Sequence, residues 1–206
     1  MDSDIVLPKN NETEFIEIAS NLGIKKLYFL YDFDSYDGER TAKKLESITK
    51  HLNIPIDIGF LVNERNLIKA AKQSKMLVAK SSSNDRAVIE SGKVKIIYGF
   101  EEFHKRDHLH QRASGLNHIL CELASKNKVA IGFSYSMLLS KNPETASMLM
   151  GRMMQNIILC QKYNPRMVIA SFSEKPYDLR APHDTMSLLA MLGTSKNTKY
   201  SLLSHL

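Results

Sequence analysis

Short runs rich in Val, Ile, Leu and Phe alternate along the whole chain with helix-like stretches, and this alternation constrains the fold more than any other feature. "KKLYFLYDF" (Lys25–Phe33) reads as a strand, followed by the helical "GERTAKKLESITKHL" (Gly38–Leu52). "IPIDIGFLV" (Ile54–Val62) precedes a helix over Asn63–Ser74, with Asn63 as its N-cap. "KMLVAK", "VKIIYG", "KVAIGFS" and "RMVIASFS" continue the pattern. "GLNHILCELASKN" places Leu116, Ile119, Leu120 and Leu123 on one helical stripe, with Ser114 as its cap. A long helix opens at Asn142 and Pro143, and a last one runs from Pro182 to Gly193. The β-α unit therefore repeats six or seven times, the earliest strand lying in "DIVLP" (Asp4–Pro8).

Branched strands with short connections call for a parallel sheet covered by helices. Such a sheet either stays open or closes into a (β/α) barrel. The 206 residues sit at the short end of barrel length, and no Gly-rich phosphate loop follows the first strand. A TIM-barrel-like (β/α) barrel in one domain, residues 1–206, is the expected α/β architecture. Its working face is the set of loops at the carboxyl ends of the strands, where serines and basic residues outnumber carboxylates in the later loops.

With 43% apolar residues the chain can bury a core. No apolar run approaches the ~20 residues of a membrane span, and the first residues lack a signal peptide's layout. Cys121 and Cys160 fall in helical apolar patterns, which fits a reducing setting; a cytoplasmic protein is expected, with no membrane partner. The net charge of +6 points to an anionic partner.

The chemistry concentrates in "FHKRDHLHQRASGLNH" (Phe103–His118), which holds four of the seven histidines. Read as a metal site, Asp107, His108 and His110 would be ligands, joined by Asp32 and Asp34, in a metal-dependent phosphoesterase. Lys105, Arg106 and Arg112 oppose that reading by repelling a cation. Read as acid–base or nucleophilic catalysis, the serines lack a G-x-S-x-G elbow, and Asp32 and Asp34 suit loop hydrogen bonding. Read as a phosphate grip, Arg86, Arg106, Arg112, Lys175 and Arg180 recur in or beside strand-to-helix loops on one face. Few aromatics interleave with them, so recognition of backbone and shape is expected rather than base stacking. On the long helix the methionines read as core filling, and Arg152, Gln155 and Asn156 as a polar stripe that faces solvent or meets a partner.

"IIYGFE" (Ile96–Glu101), "RDHLHQRASGLNHILCELASKNKVAIGFS" (Arg106–Ser134), "GRMMQNIILCQKYN" (Gly151–Asn164) and "VIASFSEKPYDLRAPHDTMSLLAMLG" (Val168–Gly193) together resemble a known family. It is that of archaeal ribonuclease P protein component 3, relative of the eukaryotic thirty-kilodalton subunit. The resemblance covers about the last half of the chain. It implies a barrel akin to the polymerase-and-histidinol-phosphatase superfamily without that superfamily's catalytic metal centre, and "DFDS" (Asp32–Ser35) indeed carries no histidine pair. It further implies binding to the catalytic domain of ribonuclease P RNA, together with protein component 2 and other subunits. The holoenzyme removes 5′ leaders from precursor tRNA, the RNA carrying the chemistry with magnesium; no cofactor and no catalytic residue is expected in this chain. The RNA-contacting residues by motif and position are Arg86, Arg106, His110, Arg112, Asn117, Lys175 and Arg180.

Overall fold

Each branched run of the sequence becomes a strand of one parallel sheet. In the computed structural model, which describes residues 3–49, 54–139 and 141–194, the strands are β1 (Ser3–Val6), β2 (Lys26–Asp32), β3 (Ile56–Val62), β4 (Leu77–Lys80), β5 (Ile96–Tyr98), β6 (Ala130–Ser134) and β7 (Met167–Ala170). They lie side by side in chain order, every pairing parallel. The two ends of the sheet then meet. Phe172 N–H donates to the Ile5 carbonyl and Leu7 N–H to the Ser173 carbonyl, both at 2.8 Å. The sheet is a barrel of seven strands, all but closed, and not an open sheet.

Side-chain alternation sorts the core into two layers. Ile5, Tyr28, Leu30, Val78, Ile96, Tyr98, Ala130, Val168 and Phe172 fill the barrel interior. Tyr98 and Phe172 stack there nearly parallel, ring centres 4.1 Å apart. The alternate positions face the helices: Val6, Leu27 and Phe29 on one side, Ile97, Ile131, Phe133 and Ile169 on the other. Both faces are buried, which is why the strands read as continuous apolar runs. Fully buried rings such as Phe15, Phe29 and Phe133 each contribute about 1.5–3 kcal/mol relative to exposure.

The β1–β7 seam is polar. Asp4, 4% exposed, accepts from the Tyr135 hydroxyl at 2.6 Å and from the N–H groups of Ser171 and Ile5 at 2.7 Å. Burial pushes its pKa up to about 6 against the pull of those donors. Ser134 and Ser136 both donate to the Ser171 carbonyl. These serines, which the sequence places among donors for a ligand, are spent on joining β6 to β7.

The helices are α1 (Glu12–Asn21), α2 (Gly38–Thr49), α3 (Leu67–Ala70), α4 (Asp85–Glu90), α5 (His118–Lys126), α6 (Ser136–Leu139), α7 (Pro143–Tyr163) and α8 (Pro182–Met191). Asn142 caps α7 as its sequence predicts, its side chain accepting from Thr145 N–H at 2.8 Å. The end of the helix predicted over Gly38–Leu52, residues 50–52, lies outside the described residues. The helix expected over 63–74 shrinks to one turn. Asn63 is not its cap: its side chain accepts from the N–H groups of Arg65 and Asn66 and makes a local turn first.

Candidate nucleic-acid interface

The His-rich stretch is a finger between β5 and α5. Gly99, at φ 85°, turns the chain out of β5 into a 3-10 turn over Phe100–Glu102. The loop then doubles back: His108 N–H donates to the Gln111 carbonyl at 2.9 Å, and Leu109 and His110 form the tip. Leu109 is 92% exposed. Gly115 closes the loop at φ 78°, with the Phe100 carbonyl only 2.3 Å from where a Cβ would stand. No other residue fits there.

A fully buried arginine holds the finger from beneath. Arg152 of α7 is 0% exposed. Its Nε donates to Asp107 Oδ1 at 2.7 Å, and its Nη1 to the carbonyls of Glu101 and His104 at 2.7 and 2.6 Å. One turn on, Asn156 donates to Glu101 Oε1 at 2.7 Å and to the Ser114 carbonyl at 2.9 Å. Asp107 also accepts from Ala113 N–H at 2.8 Å, tying the outgoing limb to the incoming one. Burial drives the Glu101 carboxyl up to about 7, opposed by the Asn156 amide. Asp107 goes the other way: desolvation works upward, but Ala113 N–H and Arg152 together outweigh it and hold its carboxyl below the usual range. Arg152 therefore keeps an ionised partner, as a buried guanidinium requires.

With Asp107 turned inward to Arg152, the basic side chains of the finger face out. Lys105, Arg106, His110 and Arg112 are exposed. Among the described residues, Lys105, Arg106 and Arg112 have no ion-pair partner within 4 Å. The Arg112 guanidinium lies across Gly151 of α7, where a Cβ would be 2.9 Å from its Nε.

Two more residues named by sequence sit next door. Arg86 on α4 is exposed and pairs with Glu90 at 2.8 Å. Asn117 caps α5, accepting from Leu120 N–H at 2.9 Å, a role the sequence assigned to Ser114, which is instead buried. Arg86 and Asn117 share a hollow of about 310 Å³ with Phe103 and His104. Lys175 and Arg180 are not part of this group. They follow β7, two strands further round the barrel. Lys175 is exposed, whereas Arg180 donates to the carbonyls of Leu179 and Tyr177 at 2.7 and 3.0 Å and shapes its own turn. Ser173 is likewise occupied, bonded to Asp178 at 2.6 Å.

Asp107, His108, His110, Asp32 and Asp34 do not converge. No three His, Cys, Asp or Glu side chains form a metal-binding group among the described residues. Asp32 accepts from the N–H groups of Asp34 and Ser35, and Asp34 from the Asn66 amide at 3.0 Å, which is the loop-building role. The carboxyl ends of β1–β3 hold a larger hollow, about 440 Å³, lined by Lys9, Glu12, Tyr31, Asp32, Arg40 and Lys44 among others. Its two lysines are matched internally: Lys44 pairs with the buried Glu12 at 2.5 Å, and Lys9 with Glu174 at 2.6 Å.

The sequence reading missed Arg152 and Asn156, which are core residues and not a solvent-facing stripe. The signal was present. Leu149, Met153, Ile157 and Cys160 define the buried stripe of α7, and positions 152 and 156 fall on that same face at i+3 and i+7. Ile119 errs the other way: it is 45% exposed. Because α5 begins only at His118, Leu116 is not part of its periodicity, and Leu120, Cys121 and Ala124 form the buried face.

Residues 106–205 match the family described as RNase P subunit p30. Ribonuclease P protein component 3 of Methanosarcina mazei is 26% identical over 203 residues, spanning 84% of this chain and 85% of its own length. The Methanocaldococcus jannaschii protein of the same name is 24% identical over 171 residues, or 80% and 72% of the two chains. A chain in the cryo-EM structure of archaeal ribonuclease P with mature tRNA shares the fold, with a TM-score of 0.76 and 21% identity over 93% of this chain and 82% of that one. The family match begins at Arg106, inside the finger, and takes in the Asp107, Arg152 and Asn156 that hold it. The chain is thus similar to the RNase P subunit p30 family over residues 106–205 and, over most of its length, to archaeal proteins named ribonuclease P protein component 3.

Proposed function

We propose that this chain is a protein subunit of ribonuclease P, working as one domain in the cytoplasm. It grips the catalytic domain of the RNA subunit beside protein component 2, and the RNA with its magnesium cuts the 5′ leader from precursor tRNA. The observation that carries this reading is the finger. A buried Arg152 absorbs the Asp107 carboxylate, which lies among the basic residues, and leaves Lys105, Arg106, His110 and Arg112 outward on a rigid base. Cations held this way meet phosphates without a cost of ordering the loop. Arg86 and Asn117 extend the same surface, while Lys175 makes a separate, weaker contact across the barrel mouth. Similarity to that family supports the assignment.

Reconstitution tests it. Cleavage of precursor tRNA by the RNA and its protein partners at low magnesium is expected to rise when this chain is added, and the Arg106→Ala/Arg112→Ala double variant is expected to lose most of that gain. Cleavage that is the same with and without the chain contradicts the assignment.

A further inference from the structure

The hollow beside the finger has a mixed lining that backbone gripping does not use. Phe103 is 46% exposed and Ile119 45%, and both line it together with Ser82, Ser83, Arg86, His104 and Asn117. Single exposed apolar side chains are ordinary, but two in one hollow beside a cation make a surface with an apolar wall and a charged rim. The aromatic is firmly carried. Phe103 N–H donates to the Phe100 carbonyl at 3.2 Å, and the neighbouring His104 carbonyl is held by the buried Arg152. The two rings meet edge to face with centres 4.8 Å apart, which fixes how Phe103 is presented.

The polar side of the hollow is open to a ligand. Asn117 uses its side-chain oxygen as the α5 cap, and its amide N–H₂ has no partner among the described residues. The one carboxylate in the lining, Asp85, is already engaged by the Ser81 hydroxyl at 2.6 Å and Ser82 N–H at 2.7 Å. Among the described residues Arg86 is tied only to Glu90 one turn away, an exposed pair that yields readily to a phosphate.

We propose that this hollow seats one unstacked nucleotide of an RNA, its base against Phe103 and Ile119 and its phosphate at Arg86. The inference rests on the RNA-binding reading above and narrows it: the finger grips backbone, and the hollow selects RNA with an unpaired base at the adjoining position. A paired helix offers Phe103 no base face, whereas a bulge or loop does. At about 310 Å³ the space suits one small ligand and no helix. An apolar side chain of a protein partner would cover Phe103 and Ile119 but leave Arg86 and the Asn117 amide without an acceptor, so the lining favours a nucleotide.

Two hairpin RNAs test this, one fully paired and one identical except for a single unpaired adenosine. The full chain is expected to bind the bulged hairpin roughly tenfold more tightly, the worth of one aromatic stack. Phe103→Ala is expected to erase that preference while keeping affinity for the paired hairpin, and Phe103→Tyr to preserve it. With 2-aminopurine at the bulge, fluorescence should fall on binding to the wild type and not to Phe103→Ala. Equal, salt-sensitive binding of both hairpins by the wild type overturns the nucleotide seat and leaves the RNA-binding reading standing. Binding to neither overturns both. A preference that survives Phe103→Ala, with loss of affinity for protein component 2 instead, gives the hollow to a protein side chain and overturns the proposal.

Discussion

The two halves of the barrel mouth handle charge in opposite ways. At the ends of β1–β3, the lysines lining a hollow are matched to carboxylates: Lys44 to Glu12, Lys9 to Glu174. After β5, the matching happens underneath. Arg152 enters from α7, takes Asp107 and two carbonyls of the loop, and frees the loop's own cations to point outward. The difference teaches where to look for binding. A large hollow whose lysines are already paired has less to offer a polyanion. A loop whose Asp107 is consumed from below presents its own Lys105, Arg106 and Arg112 to solvent.

Breaking the anchor should have the largest effect. Arg152→Ala strands Asp107 and leaves the carbonyls of Glu101 and His104 without their donor, so it is expected to cost about 3–5 kcal/mol in urea unfolding. Next comes the buried acid of the same network. Glu101 sits near 7 in the fold against 4.5 unperturbed, so the fold binds its proton more tightly than the unfolded chain does. Its contribution is complete below about pH 4.5 and is lost as pH rises to about 7. From pH 5 to pH 8 the wild type should lose on the order of 2 kcal/mol relative to Glu101→Gln, which cannot titrate. Asp107, held low, contributes with the opposite sign and only at more acidic pH, so it does not blur this window. Last, Lys44→Ala in the matched hollow leaves Glu12 with the Tyr31 hydroxyl. Lys44 is one-third exposed, so about 1–2 kcal/mol is expected in unfolding, with RNA affinity unchanged.

The barrel was legible because its strands are buried on both faces and read as apolar runs whatever the helices do. Even the first strand, four residues long, shows as "DIV". The outward position of Arg106, His110 and Arg112 was legible for a plainer reason: Leu109 is the one apolar residue between Phe103 and Ala113. Other features depend on tertiary partners. Arg152 and Asn156 look like surface residues until their place on the α7 stripe is set against the loop they support. Ser134, Ser136 and Ser173 look like free donors until the seam and the β7 turn claim them. Arg180 looks like a phosphate ligand until its guanidinium is seen bonded to its own turn. Polar residues carry a satisfied or unsatisfied state that periodicity does not encode.

The central claim is that the finger, and not the matched hollow, meets RNA phosphates. Its most direct test is the affinity for ribonuclease P RNA followed against salt for three proteins: the wild type, Arg106→Ala/Arg112→Ala, and Lys9→Ala/Arg40→Ala. Each double variant removes the same net charge. The finger variant is expected to flatten the log–log slope by roughly two units, about one per lost phosphate contact, and the hollow variant to leave it unchanged. Equal slopes in the wild type and the finger variant, or an equal flattening in both variants, would contradict the account.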